Sequence, residues 1–455
     1  MDSSIYKFFN PKTVAIIGAS SNPNKDGYKI LKNMIHNFNG SIYPINPNAT
    51  EICGLKSYKS VLDVPSNIDL AIIFVNASIV ENVLIECIKK GIKNVIIESS
   101  GFAEVSKEGK ELQDRIVQLA KEHNVRLWGP NCTGIVSSNG LVTTFAYIPK
   151  IKKGNVSIIA QSGTISGALL IELLTGYSLG ISKVCAIGNR CDINECDLLE
   201  YLAADEETDV ILLYLEGFIN GKKFLNIVKK IDKPIILLYG GKSYSGMEAA
   251  KSHTGSLSGS AKIVEYAMKQ ANCIMADDFD ELFSLCKMIL SYPPIKGNRV
   301  AIITPTGGIG VVSSDLADNA GFVLSPATKT LDKLKGYYPS WMPPKNPIDI
   351  WPTAEKIGYK EALNLAIDLA LNDDEIDIVV LIFLFSRLQI EKSFNIDSLI
   401  KRSDKPIVVY LSGDYNSKTN YRKILSDKGL FVFNDMQCGF KALSKVYNYW
   451  NKPNR

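Results

Sequence analysis

Histidine is the rarest residue of covalent chemistry in this chain. Among 455 residues only His36, His123 and His253 are histidines. His253 stands apart from the other two. It lies in the run Ala249-Ala-Lys-Ser-His-Thr-Gly-Ser-Leu-Ser-Gly259, among small and hydroxyl residues, with Leu257 the only large apolar side chain nearby. A core histidine sits on a periodic apolar face, whereas this setting predicts an exposed, mobile loop. Hydroxyls and free N–H groups are also what a phosphate requires. Glu216 closes the strand-like run Ile211-Leu-Leu-Tyr-Leu215. A carboxylate at the carboxyl edge of a parallel sheet points to the ligand side. It could accept a hydrogen bond from one imidazole nitrogen and leave the other nucleophilic. Ser162, Gly163 and Thr164 follow another strand and open a helix. Their N–H groups and hydroxyls could hold a phosphoryl group against the helix dipole. No lysine of the P-loop type accompanies them. The plainer alternatives are a structural histidine and a solvated strand end at Glu216.

A second loop, Gly18-Ala-Ser-Ser-Asn-Pro23, directly follows the run Thr13-Val-Ala-Ile-Ile17. A helix starting there would present N–H groups to an anion. A dinucleotide fingerprint needs glycine at positions 20 and 23, which are Ser20 and Pro23. The ribose-binding acid is also missing, because the second strand ends in Asn46-Pro47. The loop therefore suits phosphates but not NAD. A tight turn that needs Gly18 only for backbone geometry is the other reading.

The elements that must position these residues follow one plan: a short apolar run, a glycine-bearing turn, then a helix. Leu70–Val75, Asn94–Ile97, Asn155–Ala160, Asp209–Tyr214 and Lys233–Tyr239 are such runs. Continuous Val/Ile/Leu runs alternating with helices predict parallel sheets covered on both faces. Helices are expected over Ser78–Lys90 and Lys107–Asn124. The last third repeats the plan. Asp377-Ile-Val-Val echoes Asp209-Val-Ile-Leu, and Asp404-Lys-Pro-Ile-Val-Val echoes Asp232-Lys-Pro-Ile-Ile-Leu. Pro293-Pro294 and Lys296-Gly-Asn298 form a linker, and a softer boundary falls between Gly134 and Gly154.

Composition excludes several classes. The net charge is +4, from 51 basic and 47 acidic residues, so bulk charge would not drive binding to nucleic acid. No apolar run reaches the roughly 18 residues of a membrane span, and no secretory signal is visible at the start. Nine cysteines without paired metal spacing predict no metal site and a reducing cytoplasm.

Taken together, Ser252-His-Thr-Gly255, Gln161-Ser-Gly-Thr164, Gly129-Pro-Asn-Cys132 and Gly101-Phe-Ala-Glu104 carry a resemblance. In this order and spacing the chain resembles the α subunit of ADP-forming acetate–CoA ligases, a type of nucleoside-diphosphate-forming acyl-CoA synthetase related to succinyl-CoA synthetase. The resemblance implies an α/β fold: a Rossmann-type CoA-binding domain over 1–134, then two flavodoxin-like ligase domains over 150–292 and 297–455. It implies that acyl-CoA, ADP and phosphate are interconverted with a carboxylic acid, ATP and CoA, through an acyl phosphate and a phosphohistidine. By match to the family motifs, His253 would carry the phosphoryl group and Glu216 would orient it. Ser162, Gly163 and Thr164 would bind it. Gly18, Ala19, Ser20, Ser21, Asn46, Val75, Asn76, Ser100 and Gly101 would bind CoA, with Lys56 a further cation for its phosphates.

No segment resembles an ATP-grasp module, so the resemblance implies a separate β subunit that holds ADP or ATP with Mg, in an α2β2 assembly. Three positions depart from the family pattern: Thr133 replaces a leucine, Asn76 a proline, and Ile309 the proline of Gly-Gly-Pro-Gly. These leave the preferred acid open. Two other functions compete with the ligase: a non-catalytic CoA or acyl-CoA binder of the same fold, and a nicotinamide oxidoreductase. The retained set of His253, Glu216 and Ser162–Thr164 weighs against the first, and the broken fingerprint against the second.

Overall fold

The structure is a computed structural model that describes residues 3–146, 148, 150–254, 261–385 and 404–452. It contains two compact units, Met1–Asp277 and Asp278–Arg455. The first holds two large sheets and the second holds one.

The first sheet is entirely parallel, in the order Ser41–Ile45, Thr13–Ile17, Leu70–Ile73, Asn94–Ile97, Arg126–Trp128. Leu70–Ile73 and Asn94–Ile97 are buried at every position, as expected for strands covered on both faces. Helices Asp26–Asn37, Ala77–Lys89 and Lys107–Glu122 connect the strands. The strand order reverses at Thr13–Ile17, so a crevice opens where the chain leaves this strand and Leu70–Ile73. Gly18 sits at that opening with φ +94°, and a Cβ there would lie 2.0 Å from the Phe74 carbonyl oxygen. Only glycine permits that approach.

The second sheet runs Ile274–Ala276, Ile235–Tyr239, Val210–Leu215, Lys153–Ala160, Ile181–Ala186, Ile135–Ser137. Its last strand is antiparallel and comes from the chain just after the first sheet. The third sheet has the order Phe431–Phe433, Ile407–Gly413, Ile378–Phe385, Arg299–Thr304, Val323–Leu324, with Ile348–Asp349 also paired to Arg299–Thr304. The five parallel strands of the second and third sheets thus follow the same order.

The echo seen in sequence extends to side-chain roles. Lys233 donates to the Leu202 and Asp205 carbonyls, and Lys405 to those of Ala370 and Asp373. Asp209 N–H donates to the Asn155 carbonyl, and Asp377 N–H to that of Arg299, each at 2.8 Å. In both sheets the Asp that starts one strand bonds the neighbouring strand, and the lysine of the Lys-Pro strand locks to the end of the preceding helix.

The second unit should be acid-sensitive. The Asp373 carboxylate accepts from Thr330 N–H and Oγ1 and from Glu375 N–H. Asp377 accepts from the Arg299 N–H and guanidinium. Burial pushes both carboxyls up, but these donors outweigh it and hold both below the usual range. The unfolded chain therefore binds more protons as pH falls through about 4, and the stability these groups contribute at higher pH is lost progressively below it. The urea midpoint of the full chain, followed by tryptophan fluorescence, should fall between pH 6 and pH 3, and less steeply in Asp373→Asn.

Candidate functional site

Where the first two sheets meet, a cavity of about 310 Å³ opens within the first unit. One wall comes from the first sheet and its neighbours, with Phe74, Glu98 and Ser100 at strand ends and Asp26 at a helix start. The facing wall is Gln161, Ser162, Gly163 and Thr164, at the end of Lys153–Ala160 and the start of helix Gly163–Thr175. Asn131, Cys132 and Thr133 fill a third side, and Gly188 and Asn189 a fourth. Phe74 and Phe145 close the apolar end, with ring centroids 5.6 Å apart.

The helix start is built for an anion. Ser162 is its N-cap, yet its hydroxyl makes no capping bond and leaves the first-turn N–H groups open to an anion. Gly163 is needed for space, since an added Cβ would sit 2.6 Å from Thr133 Cγ2. The Thr133 hydroxyl is in turn held between the Gly163 carbonyl at 3.3 Å and Ser166 Oγ at 3.1 Å. Thr133, the departure from the family pattern, therefore joins the Gly129-Pro-Asn-Cys132 loop to the helix start. Gly163→Ala should destabilise the chain by about 1–3 kcal/mol through overpacking, although alanine favours the helix itself. Thr133→Ser removes the clashing methyl and should restore most of that loss in urea unfolding.

Glu216 is 4% exposed. Its N–H donates to Gln161 Oε1 at 2.9 Å, and Tyr214 Oη donates to its Oε1 at 3.0 Å. Burial, then the Glu216 charge, pushes the Tyr214 hydroxyl up, so it stays a donor. Gly240 leaves room for the pair, since a Cβ there would lie 3.2 Å from Glu216 Cγ. The strand end is therefore buried and fixed rather than solvated.

Arg190 and Glu195, which the motifs do not single out, hold the loop that follows. Arg190 donates to the Gly217 carbonyl at 2.9 Å and to Glu195 Oε2 at 3.2 Å, and Glu195 Oε1 accepts from Ile219 N–H at 2.8 Å. Arg190 also adopts φ +57°, a left-handed region uncommon for residues other than glycine. That conformation is not visible in sequence, and no motif marks the pair.

His253 differs from its expected setting. Helix Tyr244–Thr254 runs through it, so its backbone belongs to a last helical turn and not to a loop. Its side chain and residues 255–260 lie outside the described residues.

The expected CoA residues gather at the carboxyl edge of the first sheet, but several are already engaged. Ala19 is buried, and its carbonyl accepts from Asn46 Nδ2 at 2.8 Å. Ser20 Oγ accepts from Asn22 N–H, while Ser21 is exposed. Val75 N–H donates to Ser99 Oγ at 3.0 Å. Asn76 caps helix Ala77–Lys89 by accepting from Ser78 N–H. Gly101, at φ +106°, donates its N–H to Glu104 Oε1 at 2.6 Å. Ser100 alone of this set lines the cavity. Lys56 lies on the separate hairpin Glu51–Ile52/Leu55–Lys56, with Nζ 5.1 Å from the Tyr58 ring centre. Among the described residues no cluster of His, Cys, Asp and Glu has the arrangement of a metal site. No described helix is long and apolar enough to cross a membrane.

A CoA-type switch-point sheet joined through a shared cavity to a flavodoxin-type sheet defines a class of CoA-dependent ligase. Residues 12–138 match the CoA binding domain family, and residues 153–289 the succinyl-CoA ligase like flavodoxin domain. The chain is 35% identical to subunit alpha of acetate–CoA ligase (ADP-forming) I from Pyrococcus furiosus, over 99% of this chain and 98% of that one. It is 40% identical to acetate–CoA ligase (ADP-forming) II from Archaeoglobus fulgidus over 97% of this chain, but spans only 66% of that protein's length. A dinucleotide forming acetyl-coenzyme A synthetase 1 from Candidatus Korarchaeum cryptofilum, solved with phosphate and ADP, superposes with a TM-score of 0.86. That match has 30% identity and covers 98% of this chain and 96% of that one. The chain belongs to the ADP-forming acetate–CoA ligase family.

Proposed function

We propose that the chain is the α subunit of an ADP-forming acyl-CoA synthetase that passes a phosphoryl group from an acyl phosphate to His253 and on to ADP. The observation that carries this reading is the shared cavity. It sets the uncapped helix start at Ser162–Thr164 against Ser100, at the carboxyl edge of the CoA-type sheet. Phosphate held at the helix start would attack the thioester carbonyl of an acyl-CoA. The new C–O bond forms as the C–S bond breaks, and CoA leaves as a thiolate that takes up a proton. The phosphoryl group then moves to an imidazole nitrogen of His253, releasing the carboxylate. Such transfers depend mainly on positioning and charge stabilisation, for which preorganised N–H donors suffice. Glu216, fixed by Gln161 and Tyr214, is the carboxylate to orient the imidazole.

The division into domains 1–134, 150–292 and 297–455 belongs to the same reading, supported by the two family matches and the repeated strand order. So does the partner. Relatives named as alpha subunits support a second chain, which we read as an ATP-grasp β subunit that binds ADP or ATP with Mg in an α2β2 enzyme. Small carboxylic acids are the substrate class, consistent with a cavity of about 310 Å³ whose apolar end is two phenylalanines. Nine cysteines with no disulfide among the described residues support a reducing cytoplasm as its location.

The test is label transfer. With the β subunit, an acyl-CoA and radiolabelled phosphate, the chain should take up acid-labile, base-stable label, and ADP should discharge it. Normal CoA binding without label would sink the ligase reading in favour of a non-catalytic CoA binder. A panel of acids scored for acid-dependent ADP formation then identifies the substrate.

A further inference from the structure

Glu98 follows the last residue of strand Asn94–Ile97 and faces the cavity. No motif marks it, and the phosphoryl relay does not use it. It is 3% exposed, and among the described residues the one group placed to donate to its carboxyl is the Thr143 hydroxyl. That hydroxyl also accepts from Ile135 N–H at 2.8 Å and lies 3.4 Å from the Ile135 carbonyl, so it is shared. Among the described residues no lysine, arginine or histidine lines the cavity. The titratable groups facing Glu98 are Asp26, which is paired with Lys29 at 2.7 Å, and Cys132, whose thiol burial keeps protonated.

A carboxylate so placed has neither solvent nor a cation to hold its charge. Burial first, and Asp26 second, push its pKa well above the usual range, against a smaller lowering from Thr143. In its neutral form the carboxyl has one proton to donate. Across the same cavity stands the uncapped start of the 13-residue helix Gly163–Thr175. An anion at that helix start would meet backbone N–H groups on one side and the Glu98 O–H on the other.

We propose that Glu98 is a substrate-binding carboxylic acid that donates a hydrogen bond to the acyl oxygen of the acid or acyl phosphate held at the Ser162–Thr164 helix start. This rests on the ligase reading above. It makes Glu98 a determinant of affinity for the acid rather than for CoA. An ionised glutamate there would repel the substrate, whereas a neutral one supplies a donor facing the helix start.

The test uses the full chain with its β subunit and acetate as the probe acid. Glu98→Leu should raise KM for acetate by roughly tenfold or more, the scale of a hydrogen bond to a charged group. KM for CoA and labelling of the chain from ATP should stay within about twofold. Glu98→Gln keeps a neutral donor of the same shape and should hold KM for acetate within about threefold of wild type. In wild type that KM should rise with pH as Glu98 ionises, and in Glu98→Gln it should stay flat. This second arm decides the matter if Glu98→Leu does not fold. Wild type that takes label and turns over, with KM for acetate unmoved by Glu98→Leu, overturns this inference alone. So does Glu98→Gln if it is as impaired as Glu98→Leu. Wild type that takes no label overturns the ligase reading and this inference with it.

Discussion

His253→Ala should abolish acid-dependent ADP formation by the enzyme assembled with its β subunit, and should abolish labelling of the chain from phosphate. The expected loss is on the order of 10⁴-fold or more, the scale for removing a covalent nucleophile whose partners act with it as a unit. CoA binding should survive, because the CoA candidates lie on the first sheet and His253 lies on helix Tyr244–Thr254, beyond the second. His36 and His123 offer no substitute. Neither lines the cavity: His36 is near the end of helix Asp26–Asn37, and His123 follows the last residue of helix Lys107–Glu122. Residual turnover within tenfold of wild type would show that the relay does not pass through His253. Glu216→Gln is the companion variant. It keeps shape and hydrogen bonding but removes the charge that would stabilise a cationic or phosphorylated imidazole, so its loss should be partial and should fall on kcat.

Removing one half of the Arg190–Glu195 pair should cost about 3–5 kcal/mol of stability, because the other half is left as an uncompensated buried charge. The side chains are 5% and 0% exposed, so solvent cannot rescue the survivor. Urea unfolding of Arg190→Ala and Glu195→Ala measures this loss. The double change Arg190→Met with Glu195→Leu should lose much less, since well-packed apolar residues often replace buried pairs at little cost. That double variant separates stability from function. Arg190 and Glu195 hold the Gly217 carbonyl and the Ile219 N–H, fixing the loop that leaves Glu216. Without those bonds the double variant should stay folded yet phosphorylate poorly. Full phosphorylation in it would mean that the loop needs no clamp.

The chemistry of this chain was legible where one residue type dictates one backbone geometry. Gly18, Gly163 and Gly101 stand at close approaches or in left-handed conformations, and their positions after apolar runs point to strand-end loops. The repeat was legible for a related reason. An Asp and a Lys-Pro dipeptide at corresponding positions are the visible part of two matching sets of bonds, Asp to the neighbouring strand and Lys to a helix end. Helix ends were placed to within two residues because apolar periodicity follows burial.

The sequence by itself thus determined the α/β plan, the repeated unit, the helix start at Ser162–Thr164 and the scarcity of histidine that singles out His253. Only the tertiary structure decided what faces what. Glu98 reads in sequence as an unremarkable acid after a strand; folding two sheets together buries it with no cation beside it among the described residues, opposite a helix N-terminus. Asn76 and Gly101 matched CoA positions, yet their polar groups cap a helix and bind Glu104. The Arg190–Glu195 clamp joins residues five apart to a loop more than twenty residues further on. Burial and partnership are sums over distant segments, and it is they that set the charge state of a carboxyl and the freedom of an N–H. Local spacing fixes which residues reach the edge of a sheet; desolvation by the opposing sheet fixes what they can do there.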